Sequence, residues 1–370
     1  MKIVFTGDLF LGGDLLSFDG ESINVDEFNS ADLRVCNLEQ GSGDMPNIKN
    51  KSTVVAPLKS LNYLLDNKIN IVSLANNHIQ DKGESGFKKK IEFLNKNNIA
   101  YIGAGINEKE ASKAIHLGNE YYLLSFCAFG KSYLKKVQLA QSVEYGVNSL
   151  TYEKIKASVN KLPENAKAIL IFHWGRENVW LPPESDIKLA KKLLELNKVY
   201  SIIGMHSHRV QGALKHKGKY AWFSLGNFLF PNFFIKPRTQ MFYPKKKPKQ
   251  YHITKEYHPV FSLTYKIWKW INRISILLVF DTTKSVFKKV FVKQHKYKPF
   301  VKELNKSTIF YLELWFSFLS IILYWPRFLY IPFEFIWRKW LILIRYSNMI
   351  IFYLFKEGKM LSVLKLFRKK

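Results

Sequence analysis

Cysteine is scarce in this sequence, which holds Cys36 and Cys127 among 370 residues. The two cysteines form no CxxC motif and are too few for a framework of disulfide bonds. This excludes a disulfide-rich scaffold and a zinc module with cysteine ligands. Both cysteines lie within apolar, strand-like runs. We therefore expect buried, reduced thiols and a reducing compartment.

Acidic residues are also scarce, 29 against 57 Lys and Arg, and the shortage is confined to one part of the chain. Residues 1–230 hold 29 basic and 23 acidic side chains, whereas residues 231–370 hold 28 and 6. Four prolines and a lysine run come after Phe230, in PNFFIKPRTQMFYPKKKPKQYH. Such a change in composition predicts three parts: a domain over 1–230, a basic Pro/Lys-rich connecting region over 231–306, and a hydrophobic aromatic region over 307–370.

Two familiar sequence features, a P-loop and a signal peptide, are not found. The sequence has no GxxxxGK[ST] loop, so ATP-driven amide ligation would have no P-loop to use. Its first residues, MKIVFTGDLF, enter a strand-like run without a charged segment followed by a long apolar one. We therefore expect no signal peptide and a location on the cytoplasmic side.

Strand-like runs alternate with helical patterns up to residue 230. The predicted strands are Ile3–Phe5, Leu33–Asn37, Ile69–Leu74, Tyr121–Phe126, Ala168–Phe172, Tyr200–Gly204 and Ala221–Ser224. The predicted helices include Leu58–Asp66, Phe87–Asn97 and Ile187–Leu196. This alternation predicts an α/β fold with a largely parallel sheet.

Polar side chains come directly after five of these apolar runs. They are Asp8; Asn37 and Glu39; Asn76, Asn77, His78 and Asp81; His173 and Glu177; and His206 and His208. Ligands of α/β proteins bind at the carboxyl ends of strands, where loops gather side chains from several strands. Carboxylate, amide and imidazole donors without a thiolate suit Mn, Fe or Zn. Two such ions could activate water and clamp the oxygens of a phosphoester.

Each of these residues also has a purely structural interpretation. Asp8 in a lone GD is usually part of a turn, Glu39 could be a surface carboxylate, and His173 beside Trp174 could be a core histidine. His206 and His208 could be ligands or could alternate between the inside and the outside of a strand end. The coincidence of five polar strand ends favours one shared site.

Six motifs in order resemble those of the capsule-synthesis CapA family, of the poly-γ-glutamate biosynthesis type, within the calcineurin-like metallophosphoesterases. They are GDLFLGG, NLE, SLANNHIQDKGESG, FHWGRE, GMHSHRVQG and FSLGNFLF, and they cover about residues 1–230. The resemblance implies an α/β, metallophosphoesterase-like sandwich of two sheets flanked by helices, with two divalent metal ions at the strand ends.

The same resemblance implies roles for individual residues. Glu39 would bridge the two metals, Asp8 and His208 would hold one of them, and Asn77, His173 and His206 would hold the other. His78 would be the catalytic group that meets the leaving oxygen. Asp81 would shape the turn, with Asn37, Asn76 and Glu177 in supporting positions.

One departure from the family pattern concerns Phe10. Calcineurin-like enzymes commonly have a histidine two residues after the first aspartate, so here one metal would lack a protein ligand, unless Glu177 or water replaces it. Met205 and Ser207 also replace residues of the family's GHHPH string. Two functions therefore stay open: a two-metal phosphoesterase, and a noncatalytic binding or assembly subunit that keeps the fold.

The last third of the chain is rich in aromatic residues, with 17 Phe, Trp or Tyr in residues 307–355. Its longest nearly uncharged run, STIFYLELWFSFLSIILYW, has 19 residues, close to the roughly 20 that span a bilayer. We expect Pro326 and Pro332 to interrupt the segment after this run. Aromatic, aliphatic and basic residues together favour a helical anchor lying on an anionic membrane surface. A soluble basic helical domain is the alternative, and nucleic-acid binding ranks last.

Taken together, these patterns predict a CapA-like protein of capsule, exopolysaccharide or polyanion biosynthesis at the cytoplasmic face of the membrane. We expect a phosphorylated or polyanionic substrate and polysaccharide-synthesis proteins as partners. Sugar phosphate, lipid-linked phosphate and polymer all stay open as substrates.

Overall fold

The computed structural model describes residues 1–45, 47, 53–128, 137–235 and 264–356. Contacts between residues divide the chain into two compact units, Met1–Tyr324 and Trp325–Lys370.

Two β-sheets dominate the first unit. The described residues of the first sheet form nine strands, in the order β2 (Ile23–Asn24), β21 (Val301–Glu303), β20 (Val286–Gln294), β19 (Ile274–Asp281), β1 (Lys2–Leu9), β3 (Leu33–Leu38), β6 (Ile71–Ser73) and β7 (Ala100–Ile102), with β16 (Asn227–Leu229) also paired to β1. Those of the second form six, in the order β14 (Ala213–His216), β15 (Lys219–Trp222), β13 (Val199–Met205), β12 (Lys167–His173), β10 (Tyr121–Cys127) and β9 (Ile115–His116). Small two-stranded pairings join β4 (Gly41–Ser42) to β5 (Val55–Ala56), β8 (Ala104–Gly105) to β11 (Gly146–Val147), and β17 (Phe233–Ile235) to β18 (Thr264–Lys266).

The α-helices of the described residues vary widely in length. They are α1 (Asp26–Asn29), α2 (Asn62–Asp66), α3 (Gly83–Lys96), α4 (Glu108–Ala111), α5 (Tyr152–Asn160), α6 (Glu184–Leu194), α7 (Lys306–Ile322) and α8 (Arg327–Lys356). In the parts of the chain that the structure describes, short 3-10 helices cover Gly13–Ser17, Leu58–Leu61 and Trp270–Arg273. The mixed α/β class predicted from the alternating patterns is confirmed.

Parallel pairing sets the position of the polar residues at the strand ends. In the first sheet β1, β3, β6 and β7 are parallel neighbours, and Asp8 stands in register with Asn37. In the second sheet β10, β12, β13 and β15 are parallel, and His173 stands in register with Met205, the last residue before His206. Because parallel strands end at the same edge, each sheet gathers its polar ends on one side.

A shared apolar core lies between the two sheets. Ile3 and Phe5 of β1 belong to one cluster of buried side chains with Leu123 of β10, Ile169 of β12 and Ile203 of β13. The other face of the first sheet packs against helices such as α3, whose apolar residues recur at helical spacing. Full burial of each aliphatic or aromatic side chain contributes about 1.5–3 kcal/mol to the free energy of folding. The apolar side chains on both faces therefore stabilise the first sheet.

Residues 274–303 add strands to the first sheet, and α7 packs against the second. Strand β19 pairs antiparallel with β1, and Lys2 lies opposite Asp281. Helix α7 begins at an Asn305 cap, whose Oδ1 accepts the Thr308 N–H at 2.9 Å, and its Phe316 ring stacks on Trp222 at 5.8 Å. Strand pairing and the packing of α7 hold residues 274–322 within the first compact unit, which ends at Tyr324. The boundaries at residues 230 and 307 stay predictions. Part of the predicted connecting region, residues 236–263, lies outside the described residues.

The second unit contains helix α8, which begins directly after Pro326. Pro332 lies inside this helix, so the prediction that it would interrupt the segment was wrong. Pro332 is the sixth residue of α8 and lies past its first turn, so it removes one i→i−4 hydrogen bond, yet the helix continues beyond it to Lys356. Within the helix, Phe333 packs against Trp337 at 5.1 Å, and the Arg338 Nε–H donates to Glu334 Oε1 at 3.1 Å. In the described part of the chain, we find no helix that is both long and apolar enough to span a bilayer.

Candidate metal centre

The predicted site residues meet where the two sheets deliver their carboxyl ends. The first sheet contributes Asp8 from β1, Asn37 and Glu39 from β3, and the loop Asn76–Asp81 after β6. The second sheet contributes His173 at the end of β12, and His206 and His208 just after β13. All of these side chains are buried, so the polar ends lie between the sheets and not on the surface.

Two overlapping groups of donor atoms are arranged as a metal ion would require. One consists of Glu39, His173 and His206, the other of Asp8, Glu39 and His208, and the donor atoms of each group lie within 4.8 Å of one another. Glu39 Oε1 stands 3.8 Å from the Nε2 atoms of both His173 and His208. Glu39 therefore belongs to both groups of possible metal donors.

Glu39 is in an unusual state for a protein carboxylate. Its side chain is fully buried, and both of its oxygens lack a hydrogen-bond partner. Burial raises its pKa well above the ordinary value, and the nearby Asp8 carboxylate raises it further. A buried, unpaired charge is strongly unfavourable unless a counter-charge compensates for it, so the donor set fits one or more cations.

His206 is likewise prepared to act as a ligand. Its Nδ1 is buried without a hydrogen-bond partner, and burial lowers its pKa to about 4, which keeps the imidazole neutral. Neutral imidazole is the form that binds metal. The backbone φ angles of His206 and His208, +88° and +55°, lie in the left-handed region that non-glycine residues rarely adopt. Such strain is typical of functional sites.

Neighbouring amides orient the remaining donors. The Nδ1–H of His208 donates to Asn227 Oδ1 at 2.8 Å, which leaves Nε2 for a metal. The Asn37 amide donates to Asp8 Oδ1 at 2.8 Å and lies 3.3 Å from His173 Nδ1. Asn77 Oδ1 lies 2.7 Å from His173 Nε2, as expected if both hold the same ion. Asn227 was missed from sequence, although it stands in the quoted motif FSLGNFLF.

His78 lies beside the donors and is held in one orientation. Its Nδ1–H donates to Asp81 Oδ2 at 2.6 Å, and its Nε2 lies 3.9 Å from Glu39 Oε1. Asp81 Oδ2 also accepts the Val54 N–H at 2.7 Å, and Asn76 Oδ1 accepts the His78 N–H at 3.0 Å. Asp81 therefore orients His78. The sequence predicts only that Asp81 shapes the turn.

Glu177 and Phe10, which the sequence analysis discussed as a replacement ligand and as a missing ligand, lie outside both donor groups. Glu177 is half-buried and acts through its charge, which contributes to the raised pKa of Glu39. Phe10 lies in an aromatic cluster, with its ring centroid 5.1 Å from that of Phe230 and 5.3 Å from that of Phe233. The place where a further histidine was expected is thus filled by packed apolar rings.

Comparison with known proteins finds relatives over the part of the chain that holds these residues. The family described as "Bacterial capsule synthesis protein PGA_cap" matches residues 2–232. The "Capsule biosynthesis protein CapA" of Bacillus anthracis is 27% identical over 165 residues, 43% of this chain and 40% of that protein. The "PGA biosynthesis protein CapA" of Bacillus subtilis (strain 168) is 25% identical over 258 residues, 68% of this chain and 61% of that protein. The chain thus spans about half the length of these curated relatives.

The family match covers more than half of the chain and includes every predicted site residue, from Asp8 to His208. Membership of the metallophosphoesterase superfamily is consistent with this family and with the buried carboxylate and imidazole groups. The chain belongs to the bacterial capsule synthesis PGA_cap family, the family of the CapA proteins.

Proposed function

We propose that this protein is a metal-dependent phosphoesterase of bacterial capsule or poly-γ-glutamate-type polymer synthesis. The observation that carries the proposal is Glu39, a fully buried carboxylate without a hydrogen-bond partner that belongs to two groups of metal donors. The printed names of the two CapA relatives supply the biological setting.

In this proposal, some side chains bind the metal ions and one side chain donates a proton. Asp8, Glu39 and His208 hold one divalent ion, and Glu39 with Asn77, His173 and His206 holds the other. Bound Mn, Fe or Zn would supply Lewis-acid activation of water and of the phosphoryl oxygens.

His78 is the candidate general acid for the leaving oxygen. Its Nδ1 is engaged by Asp81, so its Nε2 is directed toward the side on which Glu39 lies. A carboxylate on the far nitrogen fixes the orientation of the ring and stabilises the protonated imidazole, which is the form that donates. General acid catalysis of this kind contributes on the order of 100- to 10,000-fold to the rate.

We place the protein at the cytoplasmic face of the membrane, in contact with anionic lipid and with polysaccharide-synthesis proteins. Helix α7 supports this placement, because several of its large apolar side chains face solvent, among them Phe310, Leu314 and Ile321. The basic excess of residues 231–370 would be attracted to anionic headgroups.

A noncatalytic binding or assembly subunit is the second candidate function. The observation in its favour is Phe10, which stands in an apolar cluster where a further metal ligand would be expected. With one protein ligand fewer, one ion would be held more weakly, and the site would serve for binding more readily than for turnover.

The deciding experiment measures metal and turnover on the same samples. Purified full-length protein, reconstituted with Mn, Fe or Zn, is tested for metal content and against phosphomonoesters, phosphodiesters and lipid phosphates, with Glu39→Gln as the metal-deficient control. We expect hydrolysis that rises with metal content. Metal-replete protein that is inactive against the whole panel would favour the binding subunit, and the absence of bound metal would refute both metal-centred functions.

A further inference from the structure

An aromatic groove lies in the first compact unit, apart from the candidate metal donors. It has a volume of about 420 Å³, within the range of about 300–1,000 Å³ typical of small-molecule sites. It is lined mainly by Trp180, Trp270, Ile271, Tyr311, Leu312 and Trp315, and none of these is one of the proposed metal ligands. The residues from α7 recur at helical spacing, so they present one face of that helix to the groove.

A basic cluster, formed by Arg273, Lys293 and Lys302, stands next to this groove. In the antiparallel pairing of β20 and β21, Lys293 lies directly opposite Lys302, a like-charge pair that destabilises a sheet unless an anion compensates for it. Burial lowers the pKa of Lys293, and the charges of Arg273 and Lys302 lower it further. Glu303 neighbours Lys302, but successive side chains of a strand point to opposite faces.

The groove and the basic cluster share one wall. The Lys293 ammonium lies 5.5 Å from the centre of the Trp270 ring, which lines the groove. Trp270 and Arg273 are the first and last residues of the same short 3-10 helix. A second cation, the Arg209 guanidinium, lies 4.9 Å from the ring of Trp180 on another part of the lining. An apolar groove with cations beside its lining is complementary to a molecule with an apolar chain and an anionic head.

We propose that the aromatic groove and the basic cluster together bind a single-chain anionic amphiphile, such as an alkyl or prenyl phosphate, with its chain in the groove and its head on Arg273, Lys293 and Lys302. A neutral apolar partner would leave the opposed lysines without a counter-charge, and a free small anion would leave the aromatic rings exposed. The amphiphile satisfies both features. The groove lining contains none of the proposed metal ligands, so this proposal does not depend on phosphoesterase activity.

Chain length provides the first test. Full-length protein in amphipol, with EDTA present to remove metal, is dialysed against decyl phosphate, ethyl phosphate, inorganic phosphate and decyltrimethylammonium, each compared with an amphipol blank. Each buried methylene strengthens binding about three- to four-fold, so decyl phosphate should bind at least about 100-fold more tightly than ethyl phosphate. Equal affinities for the two phosphates, or equal affinities for decyl phosphate and decyltrimethylammonium, would overturn the proposal.

Matched variants on α7 provide the second test. Tyr311 is 70% exposed and lines the groove, whereas its neighbour Phe310 is 60% exposed and does not. Tyr311→Asp should weaken decyl phosphate binding at least ten-fold, and Phe310→Asp should leave it within about two-fold. Both positions are exposed, so neither substitution should unfold the protein. Equal effects, or a change of oligomeric state without a change in binding, would show a general apolar surface or a self-association face instead.

A second matched pair tests the head. Lys302→Gln removes one of the two opposed ammonium groups, while Lys284→Gln removes an exposed charge at the far end of the β19–β20 hairpin. We expect Lys302→Gln to weaken decyl phosphate binding at least five-fold at low salt and Lys284→Gln to have no effect. If the two variants behave alike, the head does not lie on the basic cluster, and the proposal fails.

Discussion

Replacement of Glu39 by Gln should abolish the response of this protein to divalent metal. A ligand that binds the folded state stabilises it by about 2.7 kcal/mol when its concentration is 100 times the dissociation constant. Glu39 belongs to both donor groups, so two ions that depend on it would contribute about 5 kcal/mol together. The first compact unit ends at Tyr324. For a domain of this size, each kcal/mol added to the free energy of unfolding raises the unfolding temperature by about 1.5 °C. Metal should therefore raise the unfolding temperature of the wild type by about 8 °C.

The raised pKa of Glu39 also determines the behaviour without metal. Burial and Asp8 both raise this pKa, so the carboxylate is unfavourable in the metal-free fold. A neutral amide of nearly the same shape removes the repulsion with Asp8. In EDTA, Glu39→Gln should be at least as stable as the wild type, whereas in saturating Mn it should be less stable by nearly the whole metal increment.

Thermal unfolding in EDTA and in saturating Mn, with elemental analysis of the same samples, measures both effects. Asp8→Asn should lose about half of the metal and half of the temperature shift, because Asp8 belongs to one group only. Glu164→Gln is the matched control, since its side chain is 94% exposed and remote from the donors. A metal shift of equal size in Glu39→Gln and the wild type would refute the shared-carboxylate interpretation.

The geometry of the two units supports four other predictions. His78→Ala should keep its metal but lose about 100-fold or more in phosphoester turnover, and Asp81→Asn should lose less; unchanged kcat in His78→Ala would remove its role as the acid. Phe10→His should raise metal content or affinity if the aromatic position limits one ion, whereas an identical titration would show that it does not. The pKa of His206 in the folded protein, about 4, lies below its ordinary value of 6.5. The stability that neutral His206 contributes to the metal-free protein is therefore present above pH 6.5 and lost as the pH falls toward 4. Denaturant titrations should show a smaller loss of stability in acid for His206→Asn. Truncation after Tyr324 should leave the metal centre folded. Sedimentation with anionic vesicles then measures whether membrane binding needs the second unit. Undiminished binding of the truncated protein would assign the membrane contact to the first unit.

The strands of the first 230 residues were predicted well because their cause is local. A buried strand needs a short run of β-branched and apolar residues, and the runs at Leu33, Tyr121 and Ala168 coincide with observed strands within one or two residues. The polar residues after these runs could also be identified, because an abrupt change from apolar to polar at a strand end is visible in one dimension. Their convergence was expected from the rule that parallel strands end at one edge.

Contacts between distant segments were outside the reach of such reasoning. The pairing of β19 with β1 joins residues about 270 positions apart, and an apolar alternating run does not specify which strand it will pair with. The hydrogen bonds of Asn227 to His208 and of Asp81 to His78 depend on side-chain placement to within a few tenths of an ångström. Strand pairing and the packing of α7 likewise extend the first unit to Tyr324, and these contacts are not visible in the sequence pattern.

The amino-acid pattern alone predicted the α/β class and the candidate donor residues, because periodicity and residue chemistry are local properties of the chain, and the resemblance of six ordered motifs indicated the family. Tertiary structure alone decided that Glu39 lies between two groups of donors without a hydrogen-bond partner, and that Lys293 faces Lys302 beside an aromatic groove. Both arrangements arise from the packing of two sheets and from strand register. These depend on the summed burial of many side chains, so no single stretch of the sequence encodes them.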